Sequence, residues 1–172
     1  MTAGVVSVVV SAAALAISLS TFVANRWRDK RDLFLRVHER LVAAEQQQAR
    51  RLLHGLAEQG KRVEDYTDDE YALVNNALAA LDVLGIYYKR RYVRRRDVLE
   101  IWATPILRLM PAAEPFLAHR DSLGEGGRTW PALRALTADA EKFLRHSGQW
   151  AAVLRQPIGD PAQHDAIREH PA

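Results

Sequence analysis

The sequence predicts an all-α protein: one N-terminal transmembrane helix continuing into a cytoplasmic antiparallel helical bundle. Three observations carry this reading. Residues 3–24 hold no charged side chain and are built almost wholly from Val, Ala, Leu, Ile, Ser and Gly. The chain after them shows apolar residues at helical spacing in block after block. No stretch alternates as a half-buried strand does, and no internal repeat is visible.

A chain of 172 residues suits an anchor plus one domain. The predicted division is an anchor over 1–25, a helical domain over 26–146 and a flexible tail over 147–172. An apolar content of 48% is ordinary overall, but it is concentrated at the N-terminus. With no cysteine, disulfides and thiolate metal sites are excluded, which suits a reducing compartment. The formal charge of +3 is mildly basic. Twenty arginines against four lysines mark a GC-rich bacterial coding sequence rather than a function.

For the anchor, about 20 residues at 1.5 Å each cover the roughly 30 Å hydrocarbon core, and a helix satisfies its own backbone there. Arg26, Trp27, Arg28, Lys30 and Arg31 follow at once. Trp27 fits the interface, and the basic residues mark the cytoplasmic side, so the N-terminus is placed outside and the domain inside. A cleaved signal peptide is the competing reading; it lacks support because the segment has no basic start and is too long. Ser7, Ser11, Ala14 and Ser18 recur on one helical face, a pattern that favours helix–helix packing and hence a homo-oligomer.

Past the anchor, Leu33, Val37, Leu41, Ala44, Leu52 and Leu56 keep a helical period that Gln48 interrupts. With no Pro or Gly between Ala24 and His54, a single rod is predicted to run to about Gln59, stopped by Gly60. Thr67-Asp68-Asp69-Glu70 reads as a capping box opening a second helix, with Leu73, Ala77, Leu81, Leu84 and Tyr88 on one face. A third helix runs from Asp97 through Val98, Ile101, Trp102 and Leu109. Pro105 is predicted to kink it, Pro111 to end or bend it, and Pro115 to open a short continuation. Gly124, Gly126 and Gly127 form a turn, and Thr129-Trp130-Pro131 starts a last helix carrying Leu133, Leu136, Ala140, Phe143 and Leu144.

Catalytic motifs are missing. No Ser stands in a Gly-x-Ser-x-Gly elbow, and the glycines at 124–127 follow no strand, so a phosphate loop is not predicted. His38-Glu39 begins like a zincin motif, but Val42 stands where its second histidine belongs. His164-Asp165 and Glu169-His170 offer metal-ligand chemistry on a tail that the metal itself would have to order. Glu114 and Asp121 could form a carboxylate pair, but nothing in their spacing singles them out, and Trp102 and Trp130 read as packing residues. The prediction is therefore a protein that is not an enzyme, with no cofactor and no metal.

The main anomaly is Lys89, Arg90, Arg91, Arg94, Arg95 and Arg96 around Tyr92. A solvated connection, an anionic membrane surface, a protein partner and nucleic acid all fit such a cluster, nucleic acid least well. If the rod reaches Gln59, an antiparallel second helix returns the cluster to roughly 20 Å from the bilayer, beyond two Debye lengths. The predicted function is a membrane-tethered interaction or scaffolding module with an unidentified protein partner, its basic turn contacting anionic lipid. A membrane-bound nucleic-acid-binding effector is the alternative.

Ala80-Leu81-Asp82-Val83-Leu84-Gly85, Ile101-Trp102, Phe116-Leu117-Ala118-His119-Arg120 and Trp130-Pro131-Ala132-Leu133 form a recurring set of marks. Over roughly residues 45–145 the chain resembles a family of uncharacterised bacterial single-span membrane proteins with a small helical domain. The resemblance implies the anchor and the helical fold, and brings no activity with it. The chain departs from that pattern at Arg90 to Arg96, where a less basic turn is expected.

Overall fold

The computed structural model describes residues 2–124 and 128–150, with side chains from Ser11 onward apart from Ala12. Among these residues the fold is all-α, without strands. The helices are α1 (Thr2–Val42), α2 (Ala44–Glu58), α3 (Asp68–Lys89), α4 (Arg95–Leu123) and α5 (Pro131–His146), with a 3-10 turn at Val63–Asp65. The predicted tail beyond Trp150, its histidines, Ser7 and the glycines Gly126 and Gly127 lie outside the residues described in full.

Helix α5 packs across α3 and α4, α2 lies against the same two helices, and α1 joins through its C-terminal part. The core gathers Phe34 and Leu41 of α1, Leu53 and Leu56 of α2, Leu78 and Leu81 of α3, Trp102 and Phe116 of α4, and Leu133 of α5. The predicted α3 face is buried at Ala77, Leu81, Leu84 and Tyr88. Val74, Leu78 and Gly85 are buried as well, because α3 has neighbours on two sides and so needs a broader apolar face.

The rod to Gln59 is a misreading: the helix breaks at Ala43, whose φ of −54° and ψ of 147° are extended. Gln48 shows why. A straight helix would carry the stripe of Phe34 and Leu41 on to position 48, yet the residue that is buried is Ala49, one position and about 100° further round. Breaking the helix lets both stripes reach one core. The carbonyls left over are satisfied from α2: Gln47 Nε2 donates to Val42 O at 2.8 Å and Arg50 Nη1 to Leu41 O at 3.0 Å.

The prolines also behave differently from expectation. Pro105, Pro111 and Pro115 all lie inside α4, which runs unbroken for 29 residues. All three are exposed, and the carbonyls they leave unbonded belong to Ile101, Leu107 and Pro111, on the outer or half-buried side where water can replace the lost donor. The opposite side, with Trp102, Ile106, Leu109, Ala113 and Phe116, is buried and holds the helix in line.

The capping box is present as read. Glu70 N donates to Thr67 Oγ1 at 3.2 Å and Thr67 N to Glu70 Oε2 at 2.8 Å, while Lys61 Nζ adds an ion pair to Glu70 at 2.6 Å. These contacts hold the Glu70 carboxyl below its usual range, the Lys61 bond most of all. Gly60 ends α2 in the left-handed region at φ 62°, with Lys61 N bonded back to Leu56 O.

The first half of α1 stands clear of the bundle. From Ala13 to Arg28 every side chain is exposed, including Leu15, Ile17, Leu19, Phe22 and Val23. Among the described residues, no helix is long and apolar enough to cross a membrane. The side chains of residues 3–10, the valine-rich start of the predicted span, are not among them.

Candidate functional site

The basic turn is built by the end of α3. Arg90 caps the helix, and Arg91 takes the left-handed conformation at φ 58° that glycine usually supplies. Arg91 N then bonds to Tyr88 O at 3.1 Å and Tyr92 N to Tyr87 O at 3.0 Å. The two tyrosine rings meet at 6.0 Å across this closure, the apolar contact such a helix end favours. Val93 is buried and pins the chain, so that Arg94 becomes the first residue of the next helix boundary.

This turn folds back onto α1 beside Trp27. The Arg94 guanidinium lies 4.1 Å from the centre of the Trp27 ring. The expected distance assumed a rod running to Gln59. After Trp27, α1 continues for only 15 residues, about 22 Å, before the break, whereas the 22 residues of α3 span about 33 Å and complete the return. Arg94 of the turn thus shares one cleft with Arg28 and Arg31 of α1.

The six arginines and lysines of the turn divide by partner. Arg95 Nη2 is 2.7 Å from Asp139 Oδ2, its guanidinium lies over the Tyr88 ring at 4.4 Å, and the Tyr88 hydroxyl donates to the same carboxylate at 3.0 Å. Burial and then Asp139 push the Tyr88 phenol up from its ordinary value. Arg96 pairs with Glu100 at 2.6 Å, one helical turn on. Arg95 and Arg96 therefore serve the fold. Lys89, Arg90 and Arg91 are exposed and have no acidic partner among the described residues. On α1, Arg26, Arg28 and Arg31 are exposed in the same way, while Lys30 is half-buried.

Between α1 and α4 an open cleft is lined by Trp27, Arg28, Arg31, Arg94, Asp97 and Glu100, above Phe34, Leu35 and Ile101. No sequence motif announces it, because it is assembled from two segments, 27–35 and 94–101, far apart in the chain.

Other candidate residues have structural roles. Glu114 and Asp121 do meet at one site, around Arg134, at 3.7 Å and 2.7 Å respectively. Asp121 also accepts the Thr129 amide at 2.6 Å, the main reason its carboxyl is held below the usual range. Trp102 is buried at 4% exposure, with His38 edge-on at 5.7 Å. Trp130 stacks on Phe116 at 6.2 Å and carries Arg120 on its ring. Ser11, Ala14 and Ser18 are exposed, with no neighbouring helix on them. Among the described residues no group of three His, Asp or Glu side chains is placed to hold a metal. Asp82, Asp139 and Arg134, which organise the helix ends, carry no signal in the sequence beyond their charge.

No protein-family model, no curated protein and no solved structure matches this chain.

Proposed function

We propose that the chain is a membrane-tethered helical interaction module, with the exposed half of α1 spanning the bilayer and the bundle held against the cytoplasmic lipid headgroups. The observation that carries this is the junction of Trp27 and Arg94. Toward the N-terminus of that junction lie uncovered apolar side chains such as Leu15, Leu19 and Phe22, and beside it lie arginines without acidic partners. An apolar helix left bare in water is costly, and in hydrocarbon it is not. Ser20 and Thr21 support the reading, since both hydroxyls donate to Ile17 O, at 2.8 and 2.9 Å, and so bring no unbonded donor into lipid. Each Lys or Arg reaching an anionic surface contributes about 1 kcal/mol, which makes the bundle's orientation salt-sensitive while the anchor is not. Its work on this reading is to present the outer bundle faces to a protein partner.

The test uses the full chain with a C-terminal fluorescent fusion in bacterial cells. A bright product that pellets with membranes and resists carbonate extraction is the expected result. Release by carbonate, or an active alkaline phosphatase fused at the same point, overturns the tether or its orientation. Binding of the membrane-embedded protein to DNA or RNA with a steep salt dependence would favour the nucleic-acid reading instead.

A further inference from the structure

Two surface features of α1 meet at Trp27. One is a shallow, almost wholly apolar groove along Ala16, Leu19, Ser20, Val23, Ala24 and Trp27. At 1.5 Å per residue it runs for about 16 Å, comparable to much of one fatty-acyl chain. Its one hydroxyl, on Ser20, is already bonded to Ile17 O. The other feature is the cleft holding Arg28, Arg31, Arg94, Asp97 and Glu100. The apolar path therefore ends where the charged one begins.

The cleft contains charge of both signs. Arg94 rests on the Trp27 ring, which fixes a guanidinium at the junction without using an anion to do so. Helix α4 opens there with no side-chain cap, so the positive end of its dipole adds to the three arginines. Arg28, Arg31 and Arg94 suit a phosphate. Asp97 makes no ion pair among the described residues, and Glu100 is already held by Arg96. A ligand that supplied only an anion would set its charge beside these carboxylates. One that carries an ammonium next to its phosphate matches both signs.

We infer that the groove and cleft together hold one molecule of phosphatidylethanolamine: an acyl chain along Leu19 and Val23, the phosphate among the three arginines, and the ammonium donating to Asp97. The inference rests on the membrane-tether reading and adds a headgroup preference to it. A choline headgroup has no N–H to donate to Asp97, and a glycerol headgroup brings no cation.

The full chain is reconstituted in nanodiscs of phosphatidylethanolamine, phosphatidylglycerol and phosphatidylcholine in equal amounts with identical chains, and the lipid retained after gentle extraction is identified by native mass spectrometry. Phosphatidylethanolamine is expected to be enriched roughly fivefold over the other two, the scale of one half-exposed charge-assisted hydrogen bond. Asp97→Asn should bring it level with phosphatidylglycerol without reducing total retained lipid, and Arg28→Gln with Arg31→Gln should reduce retention of all three. Circular dichroism matching that of the unaltered chain shows that each variant is folded. Equal retention of the three lipids, preference for phosphatidylglycerol, or an enrichment indifferent to Asp97→Asn overturns the headgroup assignment alone. A chain that does not enter nanodiscs and is released by carbonate overturns the tether as well.

Discussion

The backbone amide of Leu133 donates to Asp82 Oδ1 at 2.8 Å, so that a carboxylate of α3 caps the start of α5. Helix α5 has no cap of its own: Trp130 precedes it in the left-handed conformation, at φ 52°, with no side-chain bond to the first turn. Directly beside this contact, a β-carbon on Gly85 would stand 2.5 Å from Ala132 O. The two helices approach through backbone at this point, and a missing side chain permits it.

Asp82→Ala is expected to destabilise the bundle by about 1–2 kcal/mol, the usual cost of a lost N-terminal cap, with Asp82→Asn retaining much of the effect. Gly85→Ala is expected to cost more, about 2–3 kcal/mol, because backbone cannot yield as a flexible side chain does. Denaturant midpoints of the purified chain measure both. An unchanged midpoint for Gly85→Ala would refute the close approach.

At the end of α3 the sign reverses. Arg91 occupies a left-handed position where glycine carries no steric penalty. Arg91→Gly is expected to raise stability by about 0.5–1 kcal/mol, because relief of strain exceeds the added freedom of the unfolded chain. Thermal unfolding of the two proteins side by side decides it. A lowered midpoint would mean that the arginine side chain contributes contacts outweighing the strain.

Charge reversal should separate the members of the basic turn. Arg95→Glu sets a carboxylate against Asp139 and removes the guanidinium from the Tyr88 ring, and about 1–2 kcal/mol of stability is expected to go with it. Lys89→Glu and Arg90→Glu should stay within about 0.5 kcal/mol of the original. Equal effects at the three positions would contradict the partner assignment.

Stability should also fall with pH in two stages. Burial lowers the His54 imidazole below its ordinary value, with Glu58 partly opposing the shift. The unfolded chain therefore binds the proton more readily. This contribution is complete above about pH 6.5 and is lost as pH falls from there toward the lower folded value. Asp121 is lowered by the Thr129 amide and then by Arg134, so its contribution is present above about pH 4 and disappears as pH falls further. His54→Gln should flatten the upper stage of a plot of melting temperature against pH, and Asp121→Asn should shrink the lower stage without removing it, because Glu70 is also held below its usual range.

Local chemistry made much of the fold legible beforehand. Thr67 and Glu70 announce a helix start through bonds within four residues, and Gly60 announces a stop through its own backbone. Periodicity alone gives one stripe of the α3 face, through Ala77, Leu81, Leu84 and Tyr88, but not Val74 and Leu78 beside it. The failures were all non-local. The break at Ala43 needs the knowledge that Ala49 rather than Gln48 must be buried, and nothing near Ala43 encodes that. The persistence of α4 through three prolines depends on which side of the helix those prolines occupy relative to its neighbours. The meeting of Arg94 with Trp27 follows from the break, so a misplaced helix end carried the basic turn away from the residues it touches. The cations themselves were visible as a cluster, but their division into Arg95 and Arg96 on one hand and Lys89, Arg90 and Arg91 on the other depends on Asp139 and Glu100.

Helix α1 passes from its exposed half into the bundle without a loop: Trp27, Phe34 and Leu41 lie on one uninterrupted helix. The angular setting of the outer half is therefore geared to the core. Phe34 and Leu41 can face the bundle in only one rotation, and that rotation dictates which flank of residues 11–24 looks toward Arg94. One residue inserted between Arg28 and Asp29 would turn the outer half by about 100° relative to the bundle and carry the apolar groove away from the cleft. Seven inserted residues would return it to within about 20°, displaced outward by roughly 10 Å. A twist applied to the outer half has no slack segment in which to dissipate before it reaches Phe34, so α1 acts on the bundle as a shaft rather than as a leash.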